Sequence, residues 1–143
     1  MEDKKIVYIA GCFDLIHNGH INIIKKAKQL GDYLVVGVNS NDFIYSYKKK
    51  FPVIDEKDRL TMVRALKYVD VAFILEDHES QRDYIHIFKP RYIVHGSDWR
   101  GNELLKQMNI TQEMIDKYNI EMKIFDYTPG VSTTSIRNSL GNN

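Results

Sequence analysis

The 143-residue chain holds one cysteine, Cys12, with three prolines and one tryptophan. A single cysteine excludes an internal disulfide framework and fits a reducing compartment. No stretch approaches the ~20 apolar residues of a membrane span. The first residues, Met-Glu-Asp-Lys-Lys, lead into a strand pattern without an apolar signal region, so a cytoplasmic location with no membrane partner is expected. Charge of one sign is also lacking. Lys and Arg number 20 against 19 Asp and Glu, a net charge of +1, which gives no general attraction to nucleic acid. Basic character is local, as in Lys48-Lys49-Lys50. There are no internal repeats. The composition, 43% hydrophobic and 27% charged, suits one globular domain over 1–143 that buries its own core.

Strand and helix patterns alternate along the chain. Short β-branched runs predict strands at Lys5 to Ala10, Tyr33 to Asn39, Val71 to Leu75, Tyr92 to His95 and Glu121 to Tyr127. Helical spacing appears at Ile21 to Leu30, Glu56 to Leu66 and Ser80 to Phe88, and less regularly at Glu103 to Tyr118. A last helix is expected from Ser132 or Thr133, since Ser and Thr cap helix starts and Ile136 and Leu140 lie four apart. Asn41 to Pro52, with its three lysines, reads as a solvated loop that could close over an anion. This alternation predicts an α/β, three-layer Rossmann-like fold: a mainly parallel five-stranded sheet with helices on both faces. Ligands of such sheets bind beyond the carboxyl ends of the strands.

The most informative stretch is Gly11-Cys12-Phe13-Asp14-Leu15-Ile16-His17-Asn18-Gly19-His20, at the first strand-to-helix junction. His17 and His20 share one face of a first helical turn, where unpaired backbone N–H groups and a positive dipole end also point. That arrangement suits a phosphate. Gly11 and Gly19 allow close approach of the main chain to a ligand.

With Gly-x-Phe-Asp ahead of it, the HxGH pattern resembles the nucleotidylyltransferase superfamily, especially its cytidylyltransferase branch, and is most similar to glycerol-3-phosphate cytidylyltransferases. Further stretches fall in that family's order: Gly31 to Val38, Arg59, Tyr68-Val69-Asp70, Gly96-Ser97-Asp98-Trp99 and Gly130-Val131-Ser132-Thr133-Thr134. The resemblance implies transfer of CMP from CTP to a small phosphorylated acceptor, with pyrophosphate released and Mg²⁺ carried on the CTP. The product it implies is CDP-glycerol for a cell-surface polymer. It also implies a homodimer.

It further assigns roles. His17 and His20 would donate to the α-phosphate, and Lys50, nine residues before Arg59, would contact the phosphates, with Lys48 two residues earlier as its companion. Gly11, Cys12, Phe13, Asp98, Trp99, Thr128, Gly130, Ser132 and Thr133 would line the nucleotide. Asp14 and Arg59 would belong to the acceptor side, although Arg59 could equally pair with Asp55 or Glu56 on its own helix. No protein cage for a metal is implied. His95 carries no assigned role.

Two departures weaken the likeness. Tyr127 stands where the family has an arginine before Thr-x-Gly, and Lys67 replaces a second arginine, keeping charge without the bidentate fork. Arg100 or Arg137 could supply the missing cation. The stretch from Gly101 to Asn119 is also longer than its family counterpart and, with the Tyr-Thr-x-Gly variant, is similar to cytidylyltransferases acting on 2-aminoethylphosphonate. The alternatives are therefore another acceptor, ATP in place of CTP, or a nucleotide-binding module without catalysis.

Overall fold

The structure, a computed structural model, describes residues 4–96, 105, 108–126 and 133–141, with side chains in the last stretch given for 136–140. It opens with β1 (Ile6–Gly11), α1 (Asn18–Leu30) and β2 (Tyr33–Asn39), followed by α2 (Asn41–Lys48), α3 (Glu56–Arg64) and β3 (Val71–Leu75). The second half adds α4 (His78–Phe88), β4 (Tyr92–Gly96), α5 (Gln112–Tyr118), β5 (Glu121–Phe125) and α6 (Thr133–Gly141). Among the described residues no helix is long and apolar enough to cross a membrane.

All strand pairs are parallel, in the order β3-β2-β1-β4-β5. The chain builds outward from β1 to β3, then crosses back to lay β4 on the other side of β1. The switch point therefore lies between β1 and β4, where ligands of open parallel sheets bind. Both faces are covered, as the near-continuous apolar strands require. Val7, Ile9, Leu34, Val36 and Val94 pack against Ile24 and Ala27 of α1 and Val63 of α3. Tyr8, Val35 and Ile93 face the other way, toward Phe43 of α2, Ile85 of α4 and Met114 of α5.

The expected α/β architecture is present, with one correction. Asn41 to Pro52 is not a loop throughout. Ser40 Oγ accepts from Phe43 N at 3.0 Å to cap α2, which buries Phe43 and Ile44 before Lys49 ends it in the left-handed region. The lysine run had masked two core residues. The predicted β5 ends at Phe125, and Tyr127 lies outside the described residues, as does most of 101–107.

Gly31, which follows α1, is fixed by close approach. A Cβ there would stand 2.5 Å from the Lys5 carbonyl oxygen and 2.9 Å from Val7 Cγ2. At Gly11 the nearest atom would be 3.4 Å away. Gly31→Ala is accordingly expected to lower unfolding stability by about 1–3 kcal/mol, as overpacking does. Gly11→Ala should cost less, which urea unfolding of the two variants would check.

Candidate active site

The loop from Cys12 to His17 leaves β1 at the switch point in a shape that bulky residues rarely adopt. Phe13 and Leu15 have φ of 52° and 50°, in the left-handed region, and strain of this kind persists only where the surroundings enforce it. Two buried charged groups do so. Asp14, 3% exposed, accepts from Val53 N at 2.8 Å and Ile54 N at 2.9 Å, and pairs with Arg137 Nη2 of α6 at 2.9 Å.

Arg59 of α3 is fully buried. Its Nε donates to the Ile54 carbonyl at 2.8 Å, its Nη1 to the carbonyls of Cys12 and Asn39 at 2.6 and 2.7 Å, and its Nη2 to Asn41 Oδ1 at 2.9 Å. Burial lowers its pKa below the usual guanidinium value, opposed chiefly by Cys12 and Asp14. Four of its donations thus go to the framework underneath the loop, which corrects the expected pairing on its own helix. Asp55 and Glu56 do not bind it, because they turn to Asn41: Asp55 Oδ1 accepts from Asn41 Nδ2 and Glu56 Oε1 from Asn41 N, both at 2.9 Å. Asp14 is likewise engaged within the framework.

On top of this base His17 and His20 cap α1 reciprocally. His17 Nδ1 accepts from Gly19 N at 3.0 Å, and His20 Nδ1 accepts from His17 N at 3.1 Å. An imidazole that accepts at Nδ1 carries its proton on Nε2 when neutral, so both rings present an Nε2–H donor. The ring centroids are 4.1 Å apart. Desolvation lowers the pKa of His17; desolvation first, then the neighbouring His17, lowers that of His20 to about 4. Both are neutral at pH 7. The Phe13 ring, 4% exposed, lies 5.8 Å from the His20 ring and backs it.

The other expected residues fall as follows along the described elements. Gly11 ends β1, and Cys12 follows with Sγ 3.1 Å from Tyr47 Oη. Lys48 closes α2, and Lys50 stands exposed just beyond. Thr133 begins α6. Asp98, Trp99, Thr128, Gly130 and Ser132 lie outside the described residues. Lys67 stands 5.2 Å over the Tyr68 ring, in the connection entering the amino end of β3, away from the carboxyl ends of the strands. Of the two alternative cations, Arg137 reaches the loop and Arg100 lies outside the described residues. Tyr47, which the sequence did not single out, lies beside the loop: Asn39 Nδ2, at the end of β2, donates to Tyr47 Oη at 2.9 Å. The only signal for Tyr47 was its place four residues after Phe43, legible once α2 is read as a helix.

Residues 8–139 match the cytidylyltransferase-like family. The chain belongs to that family. Among the relatives of this cytidylyltransferase-like chain is the bifunctional protein HldE of Campylobacter fetus, 35% identical over 138 residues, covering 96% of this chain and 28% of that protein. HldE of Nitratiruptor is 36% identical over 134 residues, covering 93% and 27%. The chain thus spans about a quarter of the length of these curated relatives. A solved structure described as the lipopolysaccharide core biosynthesis protein from Thermoplasma volcanium superposes with TM-score 0.68 at 34% identity, covering 87% of this chain and 97% of that one. Thermotoga maritima TmcAL bound with alpha-thio ATP shares the fold, with TM-score 0.67, 15% identity and coverage of 96% and 50%. The HxGH pair of this cytidylyltransferase-like chain sits where β1 runs into α1, at the switch point of the sheet.

Two outcomes are expected. Arg59→Met, which strips donors from three carbonyls, should lower stability by about 3 kcal/mol or more, since each orphaned buried acceptor costs ~1–3 kcal/mol; urea unfolding measures it. His20 should titrate near pH 4 by NMR. Its depressed pKa means that the unfolded chain takes up a proton before the folded one as pH falls. Stability from this group is therefore full above about pH 6.5 and is lost progressively between there and pH 4, whereas His20→Gln should flatten that part of the profile.

Proposed function

We propose that the chain transfers a nucleotidyl group, CMP from CTP, to the phosphate of a small hydroxylated acceptor, with release of pyrophosphate. One observation carries this reading: two neutral imidazoles locked as Nε2–H donors, side by side at a helix N-terminus on the switch point. In such a transfer an acceptor phosphate oxygen attacks the α-phosphorus, a new P–O bond forms, and the bond to the β-phosphate oxygen breaks, its electron pair leaving with pyrophosphate. The attacking phosphate is ionised at neutral pH, so the protein need supply no general base. Catalysis is positioning plus stabilisation of charge on the transferring group. His17 and His20 would serve there as fixed donors backed by the helix dipole, needing no reorganisation as charge develops.

Lys48 and Lys50, at and just beyond the end of α2, would meet the β- and γ-phosphates, and the start of α6 at Thr133 would add backbone donors. Magnesium enters with the triphosphate, because it is usually held by one or two carboxylates together with substrate phosphates. Glycerol 3-phosphate is the leading acceptor by motif resemblance. A sugar phosphate is the second reading, favoured by the 34% identity to a protein named for lipopolysaccharide core biosynthesis.

The test is pyrophosphate release with CTP or ATP and Mg²⁺ against glycerol 3-phosphate, a hexose 1-phosphate, phosphocholine, phosphoethanolamine and 2-aminoethylphosphonate. Turnover with CTP and a hydroxylated acceptor is expected. His17→Ala should reduce kcat about a hundredfold or more, as loss of one such donor does. Turnover with ATP alone would replace the donor base. Tight CTP binding without pyrophosphate release on any acceptor would leave a binding module.

A further inference from the structure

Exposed apolar side chains are unevenly spread over this molecule. Of the seven large hydrophobic residues that stand exposed among the described residues, four fall within nine positions: Tyr45, Tyr47, Phe51 and Val53. Tyr47 turns its hydroxyl to Cys12 and Asn39 and so belongs to the site. Tyr45, Phe51 and Val53, 44%, 57% and 56% exposed, have no task there. Single exposed apolar residues need no explanation, whereas a cluster of them marks a contact surface.

The end of α2 presents this cluster. Its inner face is spent on Phe43 and Ile44, which are buried, and every residue from Tyr45 to Phe51 is exposed. Lys49 ends the helix in the left-handed region, with Nζ donating to the Ser46 carbonyl at 3.1 Å. The turn brings Phe51 back against Tyr45, ring centroids 4.6 Å apart and planes 23° apart. Lys48, Lys49 and Lys50 lie between these two rings in the chain, and no acidic residue occurs between Asp42 and Asp55. The tip is therefore apolar and cationic at once. It is tied to the framework where Asp14 accepts from Val53 N.

Charge and ring geometry select the occupant. A second copy of the chain docked tip to tip would set three lysines against three lysines, which like-charge repulsion disfavours. Single-stranded nucleic acid binds aromatic platforms by stacking bases on open ring faces, and Tyr45 and Phe51 cover each other's inner faces. An anionic bilayer surface suits both features, since lysines are drawn to acidic head groups and aromatic rings settle at the interface. We propose that the tip from Tyr45 to Val53 is a peripheral contact for an anionic lipid surface, its apolar side chains entering the head-group layer and its lysines pairing with the lipid charges. The expected absence of a membrane partner rested on spans and on bulk charge, and neither bears on a local contact. The chain's net charge of +1 is no obstacle, because the attraction acts within a Debye length. Lys49, unlike Lys48 and Lys50, has no place at the triphosphate.

The experiment is co-sedimentation of the full chain with phosphatidylcholine vesicles, with and without phosphatidylglycerol, across a salt series. Anionic vesicles are expected to bind about tenfold more tightly than neutral ones at low salt, with the difference lost at high salt. Lys49→Gln should weaken anionic binding about fivefold, the share of one surface lysine. Phe51→Ser should weaken it about tenfold through lost insertion, and Val53→Ser should act in the same direction. Circular dichroism checks that each variant is folded, and the exposure of all three side chains favours it. Equal binding to neutral and anionic vesicles, no binding to either, or anionic binding that the folded variants leave unchanged overturns the proposal. So does binding of a fluorescent oligothymidylate that Phe51→Ser abolishes, in the absence of vesicle binding, which assigns the tip to nucleic acid. Pyrophosphate release is not among these readouts, so failure here leaves the transfer reading standing, and failure of that reading leaves the lipid contact standing.

Discussion

The buried guanidinium of Arg59 is the interaction on which the site depends. It ties the carbonyls of Cys12, Asn39 and Ile54 to one planar group, and so joins the end of β1, the end of β2 and the entry to α3. Lysine could not do this, because its compact ammonium has no fixed fork of donors. Asp14 completes the base by holding the Val53–Ile54 backbone from the other side. The left-handed backbone at Phe13 and Leu15 is tolerable because these contacts over-determine the loop between them.

The histidines work against the usual picture of imidazole as a proton shuttle. Each accepts a backbone N–H at Nδ1, so protonating either ring would remove a helix cap as well as add a charge beside its neighbour. Capping and tautomer selection are one device. The same contacts that start α1 also decide which nitrogen carries the proton and where it points. A third residue is not needed to orient the pair.

Most of the sheet was legible because the strands are apolar, β-branched and separated by helical patterns, which leaves few topologies for a parallel sheet. The HxGH pair was legible because its chemistry is local to one turn. What failed was non-local. Arg59 lies beside Asp55 and Glu56 in sequence and so resembles an exposed helix residue, yet its partners include Cys12, 47 residues away. Asn41 claims both carboxylates, and no helical spacing foretells that. Phe43 and Ile44 were hidden because three lysines dominate the composition of their segment while contributing nothing to its packing. The acceptor side left no motif in the sequence.

The contact between Asp14 and Arg137 joins positions 123 residues apart. Contacts of such separation close late in folding, after the entropy of a long loop has been met by nearer ones. Since β1 is also the strand about which the sheet is laid down, the loop that follows it receives one of its anchors from the helix that follows β5. The scaffold can therefore gain most of its sheet before the loop is held on all sides, so that the shape of the ligand-facing loop waits on a contact that the sheet itself does not need.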